Sequence, residues 1–281
     1  MENIKVSVIT PTFNDEKRLS KVIESVLNQN YPKEDFQFII VDNNSEDHTK
    51  EVVEKYEKVI YLFENKIQSS YSARNKGILK SKGDILAFID SDCTADKNWL
   101  KNALKEFDNK SVGLQAGSII FKYKEEKPNI YEYIDSIRFL RQEEYVRDGF
   151  GVTANLFVRK EIFNNLGLFD SSLKSGGDYQ FCKKAKDNGY KIFYNNNAVV
   201  CHSARSTLSE LIKKTIRISK GQRKLKKDGF LKRNCTTWQL LRPKYNLPHN
   251  EHWNNFSLSS KLKIIIIFNL LHYLNVLIKG L

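Results

Sequence analysis

The sequence predicts an α/β fold: a Rossmann-like, mostly parallel central sheet flanked by helices, with a C-terminal helical extension. Three observations predict it. Apolar, β-branched runs alternate with segments of helical spacing from Val6 to Ile89. Acidic and polar residues stand directly behind those runs, where open parallel sheets hold their ligands. The last quarter of the chain then turns basic and helix-patterned. With 281 residues, 41% of them hydrophobic and 12% aromatic, the chain can bury a large core, which excludes disordered and collagen-like classes.

Val6–Thr10 reads as a strand stopped by Pro11, and Glu16–Asn28 as a helix with Leu19, Val22, Ile23, Val26 and Leu27 on one face. Phe36–Val41 repeats the strand signal and Asp47–Tyr56 the helix. Val59–Phe63, Tyr71–Lys80 and Ile85–Ile89 continue as strand, helix and strand. Such alternation argues for parallel strands joined by right-handed crossovers. Past Asp96 the regularity lapses. Val112–Tyr123 is expected to be extended, Asn129–Tyr145 one amphipathic helix, and Gly151–Arg159 a strand. Leu166–Asp170 is a turn, Ser175–Asp178 a Gly-Gly loop leading into the helix Tyr179–Asn188, and Lys191–Tyr194 and Ala198–Cys201 are extended before His202.

Charge divides the chain. Residues 1–205 are nearly neutral, whereas 206–281 hold 15 basic residues against Glu210, Asp228 and Glu251. That asymmetry points the tail at an anionic surface, nucleic acid or an acidic membrane leaflet. Cys93, Cys182, Cys201 and Cys235 show no CxxC spacing, and the first residues carry no long apolar run, so a reducing, cytoplasmic setting is expected.

The chemistry-bearing residues follow strands. In Ile89-Asp90-Ser91-Asp92-Cys93, a buried run delivers two carboxylates to one side of an extended segment, a spacing suited to a divalent cation and its phosphate ligand. The same Asp-Ser-Asp is equally an ordinary segment ahead of a helix near Asn98. Asp178 opens a helix behind Gly176-Gly177, so it is either a cap or a general base, and the dipole is expected to keep it ionised. His202 gains a ligand role only if it faces the Asp90–Asp92 loop.

Together VSVITPTFNDEKRLSKVIESVLNQ, FIIVDNNSEDHT, SARNKGILKSKGDILAFIDSDC, GVTANLFVRKEIFNNLGLFD, GGDYQFCKKAKDNGY and VVCHS resemble the family 2 inverting glycosyltransferases of GT-A fold, over about residues 4–220. With the charge boundary, the resemblance implies a catalytic domain at 1–205, with a nucleotide-sugar-binding half at 1–95 and an acceptor half at 96–205; the basic, helix-patterned tail at 206–281 is expected from its charge to associate with a membrane. It implies that Pro11, Thr12, Asn14, Glu16 and Asp42 form the base pocket, Asp42 accepting from a pyrimidine N–H, which favours a UDP-sugar. Arg74 and Asn75 would face the nucleotide and its phosphates. Asp92, with Asp90 at the ribose or sugar and sharing in the metal site, and His202 as a distant contact would bind Mn²⁺ or Mg²⁺. Asp178 would take the acceptor's proton. Many relatives carry Glu-Asp where this chain has Gly177-Asp178, so Asp178 would act without an acidic neighbour.

Gln222-Arg223-Lys224 invites comparison with the Gln-x-x-Arg-Trp signature of processive synthases, but the tryptophan is missing and single-sugar transfer is expected. In a helical tail Lys213, Arg217, Lys220, Lys224 and Lys227 share a face. The apolar run Ile264–Ile278 is short for a membrane span and reads as an interfacial helix, a subunit contact or part of the protein's own core. A lipid-linked or cell-envelope glycan is the expected acceptor, and the protein is expected at the inner membrane face, with oligomerisation open. Two other classes compete. A nucleotidyltransferase would want a Gly-rich phosphate loop where PTFNDE stands, and a nucleic-acid-binding tail would want a recognisable module, which the basic run lacks.

Overall fold

The computed structural model describes residues 5–231 and 242–280. Cys235 lies outside them, and the other three cysteines are free thiols. One eight-stranded sheet has the order β3-β2-β1-β4-β7-β6-β8-β5. Its parallel half is β1 (Val6–Thr12), β2 (Phe36–Asp42), β3 (Val59–Phe63) and β4 (Ile85–Ile89). The helices between them are α1 (Leu19–Leu27), α2 (Thr49–Glu54) and α3 (Ser70–Lys80). β1 and β2 are buried along their whole length, as strands covered on both faces must be. Gly77 lets α3 lie close on this layer: a Cβ there would stand 2.6 Å from an Ile9 methyl.

The strand order reverses between β1 and β4, and it is beyond the carboxyl ends at such a switch that open α/β sheets hold their ligands. Beyond β4 the sheet turns antiparallel. β7 (Asn155–Arg159) pairs with both β4 and β6 (Val112–Lys122), and β5 (Cys93–Ala95) pairs with β8 (Lys191–Ser203). Asn155 is a buried tie among these strands. It accepts from the Trp99 indole at 2.9 Å and donates to the carbonyls of Ser118 and Ala198, both at 2.8 Å.

Several boundaries differ from the periodicity. β1 runs through Pro11 to Thr12, since its partner Asp42 continues the ladder. α1 starts at Leu19, because the Asp15 carboxylate is bound by Arg18 and Ser91 and holds the preceding residues as a turn. The expected helix over Asn129–Tyr145 is two helices, α5 (Ile130–Arg138) and α6 (Gln142–Arg147). Between them Phe139 is extended and buried in an apolar cluster, and Leu140 has φ 56°. Lys191–Ser203 is a single strand rather than two runs.

The chain forms two compact units. One contains residues 1–120, 142–173 and 177–202; the other contains 121–141, 174–176 and 203–281. The second unit is built on α5, α9 (Leu208–Lys227) and α10 (Leu258–Lys279) around Tyr133, Ile134, Ile137, Leu211, Phe268 and Leu271. Asp135, fully buried there, pairs with Lys214 at 3.0 Å and Arg205 at 3.4 Å. Burial pushes the Lys214 ammonium down to about 8. Of the basic face expected on α9, Lys213, Arg217, Lys220 and Lys227 are exposed and Lys224 is half-buried.

The C-terminal helix has 22 residues, about 33 Å at 1.5 Å per residue, so it is longer than the apolar run within it. By length and composition it can cross a membrane. Ile264, Phe268 and Leu271 nevertheless face the unit's core, while Leu258, Leu262, Ile266, Leu270 and Leu277 are exposed.

Candidate active site

Strand pairing brings the expected metal pair together. β4 ends at Ile89, the chain passes through Asp90, Ser91 and Asp92, and β5 begins at Cys93, whose antiparallel partner is His202. His202 Nε2 therefore lies 3.3 Å from Asp92 Oδ2. Arg18 approaches the same carboxylate oxygen at 4.0 Å while its Nε donates to Asp15 at 2.6 Å.

The donor chemistry fits a divalent cation. A six-coordinate ion with bonds of about 2.1 Å holds neighbouring donors about 3 Å apart, close to the observed imidazole–carboxylate separation. Asp90 does not complete the set: its Oδ1 receives the guanidinium of Arg74. Among the described residues no cluster of three or more His, Cys, Asp and Glu side chains gathers. Among the described residues, Asp92 and His202 are the two donors that converge here.

The helix α3 joins this edge to the expected base. Its N-cap Ser69 accepts from the Tyr71 amide and donates to the Leu173 carbonyl at 2.7 Å, fixing where the helix begins. Tyr71 and Arg74, three residues apart, share a face, with the Arg74 guanidinium 5.5 Å from the Tyr71 ring centre. The Tyr71 hydroxyl donates to Asp178 Oδ1 at 3.1 Å. The Tyr179 amide donates to that same oxygen at 2.9 Å, and the Thr153 amide reaches Oδ2 at 3.4 Å. Asp178 sits in the first turn of α8 (Gly177–Asp187).

The sequence led us to expect a lowered Asp178 pKa. The opposite holds: burial pushes this carboxyl up, and the Tyr179 amide, the Arg74 charge, the Tyr71 hydroxyl and the Thr153 amide only partly oppose it. The Tyr71 hydroxyl is itself pushed far up, chiefly by burial, so it serves as a donor.

The expected base-pocket residues lie at the carboxyl edge of β1 and β2. Thr12 pairs with Asp42 across the ladder, and the Thr12 hydroxyl is buried with no hydrogen-bond partner among the described residues. Asp42, 2% exposed, accepts from the Ser45 amide and the Tyr61 hydroxyl, both at 2.9 Å. Each oxygen retains acceptor capacity. Pro11 is buried within β1, while Asn14 and Glu16 clamp the neighbouring loop by accepting from the Glu46 and His48 amides. Asn75 stands apart from this group. Its amide is taken up by both backbone groups of Phe169 and by the Ser171 hydroxyl.

Sequence reasoning did not single out Tyr71, Arg18, Asp15 or Ser91. Tyr71 carried one usable signal, its placement one helical turn before Arg74. Arg18 and Asp15 carried another, their position in the connection behind β1.

The family model for glycosyl transferase family 2 matches residues 7–167, more than half of the chain. The glycosyltransferase AglE of Haloferax volcanii is 36% identical over 221 residues, covering 77% of this chain and 72% of that protein. A Methanococcus voltae protein is 30% identical over 228 residues, covering 75% of this chain and 70% of its own length. Its name is dolichyl N-acetyl-α-D-glucosaminyl phosphate 3-β-D-2,3-diacetamido-2,3-dideoxy-β-D-glucuronosyltransferase. Among solved structures, the mannosyltransferase PcManGT of Pyrobaculum calidifontis, in complex with GDP-Man and Mn²⁺, superposes with a TM-score of 0.60 at 19% identity, over 80% of this chain and 65% of that one. Staphylococcus aureus TarS in complex with UDP-GlcNAc superposes at 0.57 and 21% identity, over 96% of this chain and 73% of that one. The fold is thus shared with those GT-A structures, and with the family model spanning most of the sheet the chain belongs to the family 2 glycosyltransferases of GT-A fold.

Proposed function

We propose that the protein is a metal-dependent, inverting and non-processive glycosyltransferase. It moves one sugar from a nucleotide sugar, a UDP-sugar by preference, to a hydroxyl of a lipid-linked or cell-envelope glycan. The observation that carries this reading is the approach of His202 to Asp92 in the same unit as Asp178, with Arg74 and Tyr71 connecting Asp90 to Asp178.

Asp92 and His202 would hold Mn²⁺ or Mg²⁺, with Asp90 kept beside them by Arg74, and the imidazole favours Mn²⁺. A bound ion would supply positive charge against that developing on the leaving diphosphate. Asp42 accepts from the base N–H, beside Thr12 and Pro11. Asp178 takes the acceptor's proton on Oδ2, because Oδ1 already holds Tyr71 and Tyr179. The acceptor oxygen forms its bond to the anomeric carbon as the carbon–phosphate oxygen bond breaks, so configuration inverts and a nucleoside diphosphate departs. That leaving group needs no glycosidase-type acid.

The relatives support the finer terms. A UDP-GlcNAc complex and a Mn²⁺ complex are found among the structural neighbours, and a dolichyl phosphate-linked sugar stands in the Methanococcus enzyme's name. Family membership weighs against the nucleotidyltransferase and the nucleic-acid-binding alternatives. We assign catalysis to residues 1–205 and attachment to the cytoplasmic face of an anionic membrane to the tail, 206–281. An exposed apolar stripe on α10 and exposed cations on α9 support that assignment.

The test is release of nucleoside diphosphate from UDP-N-acetylglucosamine, UDP-glucose and GDP-mannose, each with Mn²⁺, Mg²⁺ or a chelator. Release from a UDP-sugar that the chelator stops is the expected result. Chelator-resistant release would overturn the metal requirement, and release from GDP-mannose alone would overturn the pyrimidine preference.

A further inference from the structure

We infer that Tyr71 is a positioning residue for the proton acceptor: its hydroxyl aims and charges the Asp178 carboxylate, and Gly177 is the vacancy that lets its ring reach there. The inference rests on the reading of Asp178 as the base and extends it to a residue to which neither the motifs nor the relatives' names assign a role.

Three contacts define the arrangement. The hydroxyl donates to Asp178 Oδ1 at 3.1 Å. A Cβ built on Gly177 would lie 2.9 Å from two carbons of the ring, nearer than side chains approach, so any larger residue there drives the ring away from the acid beside it. On its other sides the ring is held by Phe169, with centroids 5.6 Å apart, and by the Arg74 guanidinium. A ring pinned in this way adds a second donor to Oδ1 and leaves Oδ2 with the long contact from the Thr153 amide at 3.4 Å, the less occupied oxygen for the acceptor's proton. It also supplies a hydrogen bond to the ionised form, which offsets part of the cost of a half-buried charge.

The groups facing Asp178 are few. They are Tyr71 and Arg74 from α3, the Thr153 amide ahead of β7, and the Tyr179 amide and Cys182 thiol of its own helix. Loss of the Tyr71 donor therefore removes one of the three hydrogen bonds to the carboxylate and leaves the two amides.

The variant Tyr71→Phe keeps the ring and removes the donor. With the donor sugar turned over in the panel above, kcat is expected to fall about tenfold to a hundredfold, the range for a bond to an ionised group. KM for the donor stays unchanged, and the acid limb of the kcat profile moves to higher pH. A ¹³C NMR titration of the aspartate carboxyls, with Asp178 assigned by its loss in Asp178→Asn, reads the same movement without substrate. A Phe variant with wild-type turnover and an unmoved titration overturns the role of Tyr71 while leaving the base intact. Sustained turnover by Asp178→Asn instead removes the base and this inference together. Gly177→Ala should lower turnover in the native background and cost nothing further beside Tyr71→Ala. Equal losses in both backgrounds overturn the steric half of the argument.

Discussion

His202 Nε2 and Asp92 Oδ2 stand 3.3 Å apart because Cys93, the residue after Asp92, is the ladder partner of His202. A three-residue strand at the sheet's edge thus joins segments remote in the chain and aims an imidazole and a carboxylate at one point. Their separation suits adjacent ligands of a divalent ion, and neither residue offers that geometry alone.

Substituting His202→Ala should therefore raise the Mn²⁺ concentration needed for half-maximal turnover by about tenfold or more, and Asp92→Asn should abolish turnover. A Mn²⁺ titration of nucleoside diphosphate release measures both. Unchanged metal dependence in the alanine variant would remove His202 from the site.

Asp178→Asn should cost about 10²- to 10⁴-fold in transfer while nucleotide binding, read by calorimetry with UDP and Mn²⁺, persists. The raised carboxyl sets the sign of two pH effects. As the proposed base, Asp178 acts in its ionised form, so activity should fall on acidification at a pH above the range of a solvent-exposed aspartate. The folded state binds more protons at this site than the unfolded chain does between the ordinary and the raised pKa. Stability therefore declines as pH rises through that window, and Asp178→Asn should melt no lower than wild type at neutral pH. A clear drop in Tm would contradict the burial account.

Gly221 of α9 faces the loop that leads into the Gly-Gly-Asp segment. A Cβ there would lie 2.3 Å from the Ser175 carbonyl oxygen, a backbone atom that cannot step aside cheaply. Gly221→Ala should destabilise the protein by about 1–3 kcal/mol, the usual cost of overpacking. It should also reduce kcat, because residues 174–176 run directly into Asp178. Chemical denaturation and steady-state kinetics test both.

Asp135 is fully buried against Lys214 and Arg205. Asp135→Asn strands two cations and should cost about 3–5 kcal/mol. The double change Asp135→Leu with Lys214→Met should cost much less, since it replaces a buried pair with apolar contact. Urea melts of the two variants discriminate: equal losses would show that the ion pair is not what matters there.

Leu262 and Ile266 lie on the exposed face of α10. Flotation with vesicles containing anionic lipid should be lost in Leu262→Glu/Ile266→Glu and in a truncation at Ser257, and should weaken with salt. Flotation equal to wild type in both variants would leave α10 no part in attachment. A shift from dimer to monomer without any change in flotation would assign the stripe to a second copy of the chain.

The linear order of residues determined a good deal. The four parallel strands, the helices between them, the Asp-Ser-Asp turn behind β4 and the cationic tail follow from periodicities of two and 3.6 residues and from charge, all of which act over a few neighbours. The motifs also carried the family. What they left undecided was set by groups distant in the chain. Asn129–Tyr145 has unbroken helical spacing, yet burial of Phe139 splits it. The dipole at Asp178 argued for a lowered pKa, yet desolvation in the packed chain outweighs it and the hydrogen bonds from Tyr71, Tyr179 and Thr153. Asn75 sits beside Arg74 in sequence, yet one side chain secures the Phe169 turn while the other meets Asp90. Register and burial are properties of the packed chain, because each depends on which remote segment arrives as neighbour. For that reason the sequence supplied the reactive groups, and the tertiary structure chose their partners.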